Sequence, residues 1–418
     1  MTLLKSWVAS ANSADTPFPL NNLPYGVFSV GDDYPRCGVA IGDMILDMEA
    51  AEDAGLIALS DLPVFDVPYW NDVMEMGRDT WASLRARLGE ILAEGSADQA
   101  SAEPLLVAAN DADLHMPFAV AEYTDFYAGM QHAKNMGEIL RGSPDLPANW
   151  LHIPIGYNGR ASSVVVSGTD IRRPLGQTKA PDADMPSFGP CKRLDIELEM
   201  GAIVGTGSEM GQPVTVSEAD EMIFGYVLLN DWSARDIQGW EYQPLGPFQG
   251  KAFGTSISPW IVTSAALEPF RTATPAREKE LLPYLAEKKP GLYDISLEVL
   301  VQPEGAPEPS VISRTNYSRM YYSAAQQLCH HASSGCEMSS GDLLGSGTIS
   351  GPSREEYGSL MELSHAGREP FTLETGESRG FIEDGDTLTL RGAAKGDGYQ
   401  IGFGDCTGTI LASVKFPD

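Results

Sequence analysis

A chain of 418 residues is too long for one ordinary core and long enough for a small domain beside a large one. Hydrophobic residues at 43% and charged residues at 21% are ordinary globular values, which excludes disorder as the starting expectation. The formal charge of −30, from 58 acids against 28 bases, repels nucleic-acid phosphates and anionic lipid, so neither is expected as a partner.

The first seven residues, Met1 to Trp7, place Lys5 inside their only apolar stretch and do not read as a signal peptide. No run is long enough to span a membrane. Between Tyr25 and Asp47, short apolar runs alternate with turn signals at Gly31, Pro35 and Gly42, predicting small strands. Over 71–95, Trp81, Leu84, Leu88 and Ile91 recur at helical spacing, Arg85 and Arg87 fall off that stripe, and Gly95 is placed to stop it. One helix with an ordinary core face follows. An Ala-, Ser- and Asp-rich stretch over 93–103 reads as a surface connection.

Beyond about residue 118 the texture changes to short β-rich runs separated by Gly and Pro: Val164 to Val166, Leu194 to Met200, Val227 to Leu229 and Thr387 to Leu390. Helices interrupt this mostly β region at about 128–140, where Met136 and Leu140 share a face, and at about 317–332. The expected division is a small unit over 1–118 and a larger one over 119–418. Charge divides too. Residues 1–110 carry 17 acids and 5 bases whereas 132–193 carry 5 acids and 8 bases, so a small anion would favour the second window, although solubility alone also accounts for an acidic surface.

Several motifs fail on spacing. Before Gly250-Lys251 the nearest glycine, Gly246, is one residue too close for a phosphate loop, and Ala252 stands where a magnesium-binding hydroxyl belongs. The glycines at 205, 207 and 211, and those at 345, 347 and 351, lack dinucleotide spacing and read as turns. Cys329, His330, His331 and Cys336 look like zinc ligands, yet adjacent histidines on a helix point about 100° apart, and satisfied histidines at a helix end are expected. Cys37, Cys191, Cys329, Cys336 and Cys406 are scattered and odd in number, which predicts reduced thiols in a cytoplasm.

Three clusters carry chemistry. Leu194-Asp195-Ile196-Glu197-Leu198-Glu199-Met200 alternates strictly, so as a strand it presents its three acids on one face, neighbours about 6 to 7 Å apart. Glu197 and Glu199 at that separation can converge on one hard cation; a solvated edge face fits the same spacing. Asp231 ends the apolar run Val227-Leu228-Leu229-Asn230, a position that either faces a site or caps the next helix. Tyr123-Thr124-Asp125-Phe126-Tyr127 precedes His132 and Arg141, and makes His132 a candidate base or a structural histidine.

Together these segments resemble the fumarylacetoacetate hydrolase family. The resemblance runs over nearly the whole chain, from Leu23-Pro24-Tyr25-Gly26-Val27-Phe28-Ser29 through Asn149-Trp150-Leu151-His152 and Asn230-Asp231-Trp232-Ser233-Ala234-Arg235-Asp236 to Gly347-Thr348-Ile349-Ser350-Gly351 and Gly396-Asp397-Gly398-Tyr399. It implies a mostly β (α+β) fold, with a small N-terminal SH3-like β-barrel ahead of a large β-rich catalytic domain, and a homodimer formed through the catalytic domains. It makes Asp125, Glu197, Glu199 and Asp231 the ligands of Ca2+ or Mg2+, an ion that an all-oxygen shell suits. Lys251, Gly254 and Thr255 match the site of a second, structural Mg2+ that also uses Asp231.

The implied substrate is a dianionic diketo acid, 4-fumarylacetoacetate, cleaved to fumarate and acetoacetate at the end of tyrosine and phenylalanine breakdown. His132, oriented by Glu362, takes the proton from water. Arg235, Gln238 and Lys251 stabilise the oxyanion, an effect of about 3 to 4 kcal/mol per donor. Tyr127, Arg141, Tyr157, Gln238, Tyr242 and Thr348 match substrate-contacting positions. Asn158 departs from the family, which has His there. The alternatives are an acylpyruvate hydrolase or oxo-acid decarboxylase sharing the acidic ligands, though shorter, and a non-catalytic metal-binding relative, against which His132 and Glu362 both argue.

Overall fold

The computed structural model describes residues 2–417 as an α+β chain organised by three larger sheets. The first is antiparallel and five-stranded, in the order Leu106–Ala108, Met44–Asp47, Arg36–Ile41, Tyr25–Ser29 and Asp113–His115. Turn glycines bound its short apolar strands, as the alternation over 25–47 predicts; Gly31 and Gly42 both take positive φ, at 57° and 60°.

The second sheet is mixed and carries the site. Its path runs Gly156–Asn158, Tyr123–Phe126, Leu343–Gly345, Leu198–Val204, Ile223–Asp231, Thr255–Ile257 and Val164–Val166. Both faces of Ile223–Asp231 are covered, and all nine residues are buried, which is why its sequence is almost continuously apolar. Phe224, Val227 and Leu229 pack against Tyr25, Trp70, Leu84 and Leu88 from the first part of the chain, while Tyr226 and Leu228 face the larger core. The third sheet, Ser310–Asn316, Ser296–Gln302, Thr387–Lys395, Cys406–Leu411 and Ile171–Arg172, backs that core.

Four local expectations need correction. The helix expected over 71–95 is two, Asn71–Glu75 and Arg78–Leu92, because Gly77 sits at φ 83° between them. Leu84, Leu88 and Ile91 are buried as expected, and Trp81 partly so. On the helix Met130–Arg141, Met136 is buried but Leu140 is 62% exposed, so the two do not share a core face. Residues 317–332 form a 3-10 turn, Tyr317–Arg319, and a separate helix, Ala324–Ala332, whose start is set by a capping box between Ser323 and Gln326. The strand over 194–200 breaks at Ile196-Glu197 into Leu194–Asp195 and Leu198–Val204. Among the described residues no helix is long and apolar enough to cross a membrane.

Candidate active site

Sheet register brings the acids together. Gly345 lies opposite Asp125 on one side and Gly201 on the other, and Glu199 lies opposite Leu229, so Asp125, Glu199 and Asp231 come from three strands, each two residues further along the sheet than the last. Glu197 joins them from the break between strands, its N–H held by the Asn230 side chain at 3.1 Å. One oxygen from each of Asp125, Glu197, Glu199 and Asp231 lies within 4.8 Å of the others, and all four residues are buried. The solvated-face reading of Glu197 and Glu199 is therefore wrong: they are 5% and 0% exposed.

Gly345 makes the convergence possible. A Cβ there would lie 3.0 Å from Glu199 Oε2, 3.1 Å from Asp125 Oδ1 and 3.2 Å from the Tyr123 hydroxyl. The reading of 345, 347 and 351 as mere turns misses this, and misses Gly347, whose N–H donates to Glu199 Oε2 at 2.8 Å. Nothing in the sequence signals it beyond a glycine at a strand end.

The charges do not balance without a cation. Asp125, Asp195, Glu197, Glu199, Asp231 and Glu362 are all buried, against the cations Arg235 and Lys251. Arg235 donates to Asp195 at 2.8 Å and Glu197 at 2.7 Å, and Lys251 donates to Glu197 and Asp231. Burial pushes the Glu197 carboxyl up, but Arg235, Lys251 and His132 outweigh it and hold the group below the carboxylate range. Asp125 and Glu199 go the other way: burial, then the neighbouring acids, raises both well above their ordinary values. Asp125 Oδ1 and Glu199 Oε1 have no hydrogen-bond partner among the described residues. Orphaned oxygens, an all-carboxylate donor set and a cradle that only glycine leaves open together fit a hard divalent cation.

Beside the acids stands a second pair. His132, on the first turn of Met130–Arg141, shares a 2.7 Å hydrogen bond between Nδ1 and Glu362 Oε2, and its Nε2 faces Glu197 Oε1 at 3.7 Å. Glu362 sits in the short helix Leu360–Leu363 and accepts from Asn135 at 2.7 Å, Ser350 at 2.9 Å and Ser359 at 2.8 Å. Burial raises its carboxyl, yet His132 and these donors hold it below the ordinary value. Asp195, free of the cation cluster, accepts N–H bonds from Leu360 at 2.7 Å and Met361 at 3.1 Å while holding Arg235, so it ties the Glu362 helix to the guanidinium. Asp195, Asn135, Ser350 and Ser359 are positioning residues that the sequence reading does not single out.

The remaining predicted residues form a rim. Tyr127 meets the His132 ring edge-on at 5.5 Å, and the Tyr157 hydroxyl donates to Asp231 Oδ2 at 3.1 Å. Arg235 donates to Gln238 Oε1 at 3.3 Å. Thr255 Oγ1 is 3.5 Å from Asp231 Oδ1, Gly254 packs toward Ile171 and Trp232, and Thr348 is buried with its carbonyl against Gly129. Lys251 is buried, not the surface lysine its Gly- and Pro-rich loop suggests. Arg141 and Tyr242 are exposed; Arg141 donates to the Asp145 carbonyl, and neither bonds the cluster. Asn158 is exposed on the edge strand. His330 and His331 pair with Tyr284 and Thr124, as expected of satisfied histidines.

Residues 122–411 match the fumarylacetoacetate (FAA) hydrolase C-terminal family and residues 21–117 the fumarylacetoacetase N-terminal family. The chain is 48% identical over 430 residues to the fumarylacetoacetase of Arabidopsis thaliana, covering 99% of this chain and 100% of that protein. It is 47% identical over 408 residues to that of Homo sapiens, covering 96% and 97%. A solved fumarylacetoacetate hydrolase from psychrophilic Exiguobacterium antarcticum shares the fold, with a TM-score of 0.54 at 17% identity over 93% of this chain and 99% of that one.

Proposed function

The chain belongs to the fumarylacetoacetate hydrolase family and is a hydrolase acting on carbon–carbon bonds; we propose that its substrate is 4-fumarylacetoacetate, split by water into fumarate and acetoacetate in the last step of tyrosine and phenylalanine breakdown. The observation that carries this reading is the cluster Asp125, Glu197, Glu199 and Asp231, with its unpartnered oxygens, beside the His132–Glu362 pair. Calcium or magnesium held by those four acids would supply positive charge for the two keto oxygens of a 1,3-diketone. Lys251, Gly254 and Thr255 are the proposed surroundings of a second magnesium that shares Asp231.

His132 is the proposed base. With Nδ1–H donated to Glu362, Nε2 keeps its lone pair and is directed at the acid cluster, where it would take a proton from water. Glu362, fixed by three further donors, orients the ring and stabilises the imidazolium that forms. Because Arg235 binds Gln238 Oε1, the Gln238 amide N–H groups are left as outward donors toward a developing oxyanion. Lys251 and Arg235 themselves hold Glu197 in its charged form. Tyr127, Tyr157 and Thr348 line the approach, and Arg141 and Tyr242 are proposed to contact the substrate's charged ends from the rim.

The division near residue 118 belongs to the same reading, supported by the containment of the five-stranded sheet within residues 25–115. So does a homodimer through residues 119–418, supported by Leu245 at 96% and Phe248 at 66% exposure. A cytoplasmic location is supported by cysteines that are all free. The test is consumption of fumarylacetoacetate by purified protein, with and without added Ca2+ or Mg2+. A folded, metal-loaded preparation that leaves the diketone intact overturns the assignment.

A further inference from the structure

A cleft of about 720 Å³ lies between the helix Arg78–Leu92 and the large mixed sheet, and none of the residues assigned above to metal, water activation or substrate lines it. One wall is aromatic. Phe224 packs between Tyr25 and Trp81, with ring centroids 5.8 and 5.0 Å away, and Trp81 is fixed by its indole N–H at 3.0 Å from the Val73 and Met74 carbonyls. Tyr25 is 1% exposed and stacked on Trp70 at 4.2 Å, which backs the wall.

The charges around the cleft single out one residue. Arg78 pairs with Glu221 at 3.1 Å, and Arg271 with Asp220 at 2.9 Å and Glu268 at 2.6 Å. Arg85 has no carboxylate partner among the described residues; its guanidinium donates to the Asn21 and Asn22 carbonyls at 2.6 and 2.7 Å and to Thr263 Oγ1 at 3.5 Å. Burial holds the Arg85 group below its usual value, and Tyr25 is what acts on it in the other direction. An uncompensated guanidinium lining the cleft matches the two acceptors of a carboxylate.

We propose that this cleft binds a small monocarboxylate with an aromatic body, its carboxylate seated against Arg85 and its ring against Trp81 and Phe224. Isothermal titration of the full-length, metal-loaded protein with phenylacetate tests it, with phenylacetamide as the neutral isostere. Saturable binding of phenylacetate is expected, weaker by roughly tenfold or more for the amide, since hydrogen bonds to ionised acceptors are about twice as strong. Ala82→Trp, at an exposed residue lining the cleft, puts an indole into it; it should abolish this binding and leave turnover of fumarylacetoacetate unchanged. Arg85→Met should weaken phenylacetate as much as the amide substitution does. No saturable binding at millimolar phenylacetate overturns the proposal, as does equal binding of the amide. Binding that survives Ala82→Trp also overturns it, because the carboxylate then sits in the catalytic site. Should Arg85→Met fail to fold for want of its bonds to Asn21 and Asn22, Ala82→Trp decides alone.

Discussion

Gly345→Ala tests the proposed metal centre without replacing any proposed ligand. Alanine suits the extended backbone of Leu343–Gly345, and by restricting the unfolded chain it would by itself stabilise the protein by about 0.4 to 1 kcal/mol. The methyl group, however, arrives 3.0 Å from Glu199 Oε2 and 3.1 Å from Asp125 Oδ1, inside ordinary carbon–oxygen contact by a few tenths of an ångström. Glu199 Oε2 cannot retreat without stretching its 2.8 Å bond to the Gly347 N–H, so Asp125 must swing or the whole acid cluster must open. Displacements of that size around a metal cost about 10- to 100-fold in affinity, or roughly 1.4 to 2.7 kcal/mol. The expected result is a folded protein whose Ca2+ or Mg2+ affinity, measured by calorimetric titration, falls by that factor, with turnover recovered at saturating metal. Unchanged affinity in a folded Gly345→Ala variant refutes the assignment of Asp125 and Glu199 as ligands.

His132→Ala should abolish turnover while leaving the titrated metal affinity within about twofold, because the ring is proposed as base and not ligand; equal loss of metal would make it a ligand. Glu199→Gln keeps the Gly347 contact but removes a charge, and should lower metal affinity and, through it, turnover at limiting metal; unchanged affinity would remove Glu199 from the shell. Asp342→Asn reads a pH effect away from the site: burial pushes the Asp342 carboxyl from 3.8 up to about 6, so the stability it contributes is full below about pH 3.8 and is lost as pH rises through 6. Chemical denaturation at pH 4 and pH 8 should show the wild type losing up to about 3 kcal/mol that the variant keeps, less whatever hydration the carboxyl retains; parallel profiles would show that the buried charge is already compensated.

The elements legible in the sequence are those whose signal is local. The turn glycines at 31 and 42 and the apolar stripe of Leu84, Leu88 and Ile91 depend on neighbours a few residues away. What escaped depends on distant partners. The alternation of Asp195, Glu197 and Glu199 fits a solvated face as well as a site, and burial decides between them only when strands from residues 123, 223 and 343 close around them. The same alternation hides the break at Ile196-Glu197, which turns Asp195 away toward Arg235 and the N–H groups of Leu360 and Met361. Lys251 in its Gly- and Pro-rich loop and Glu362 between Met361 and Leu363 carry no local mark of burial. Their partners lie 20 to 230 positions away, at Asp231 and His132.

The way each acid divides its oxygens explains why the site can be both rigid and hungry for charge. Glu199 fixes Oε2 on the Gly347 N–H and leaves Oε1 unpartnered; Asp231 fixes Oδ2 on Tyr157 and Lys251 and keeps Oδ1 near Thr255. Glu197 has both oxygens engaged by Arg235 and Lys251, and stays ionised without further help. The protein's own cations therefore serve one side of the cluster, while Asp125 and Glu199 on the other side have none. Burial without an adjacent cation makes Asp125 and Glu199 costly to ionise in the metal-free fold, and a bound ion would offset that cost, which would couple folding and metal affinity through the same two side chains. The frame of backbone N–H, phenol and ammonium donors holds the outer oxygens in place beforehand, so little ordering entropy remains to oppose the ion.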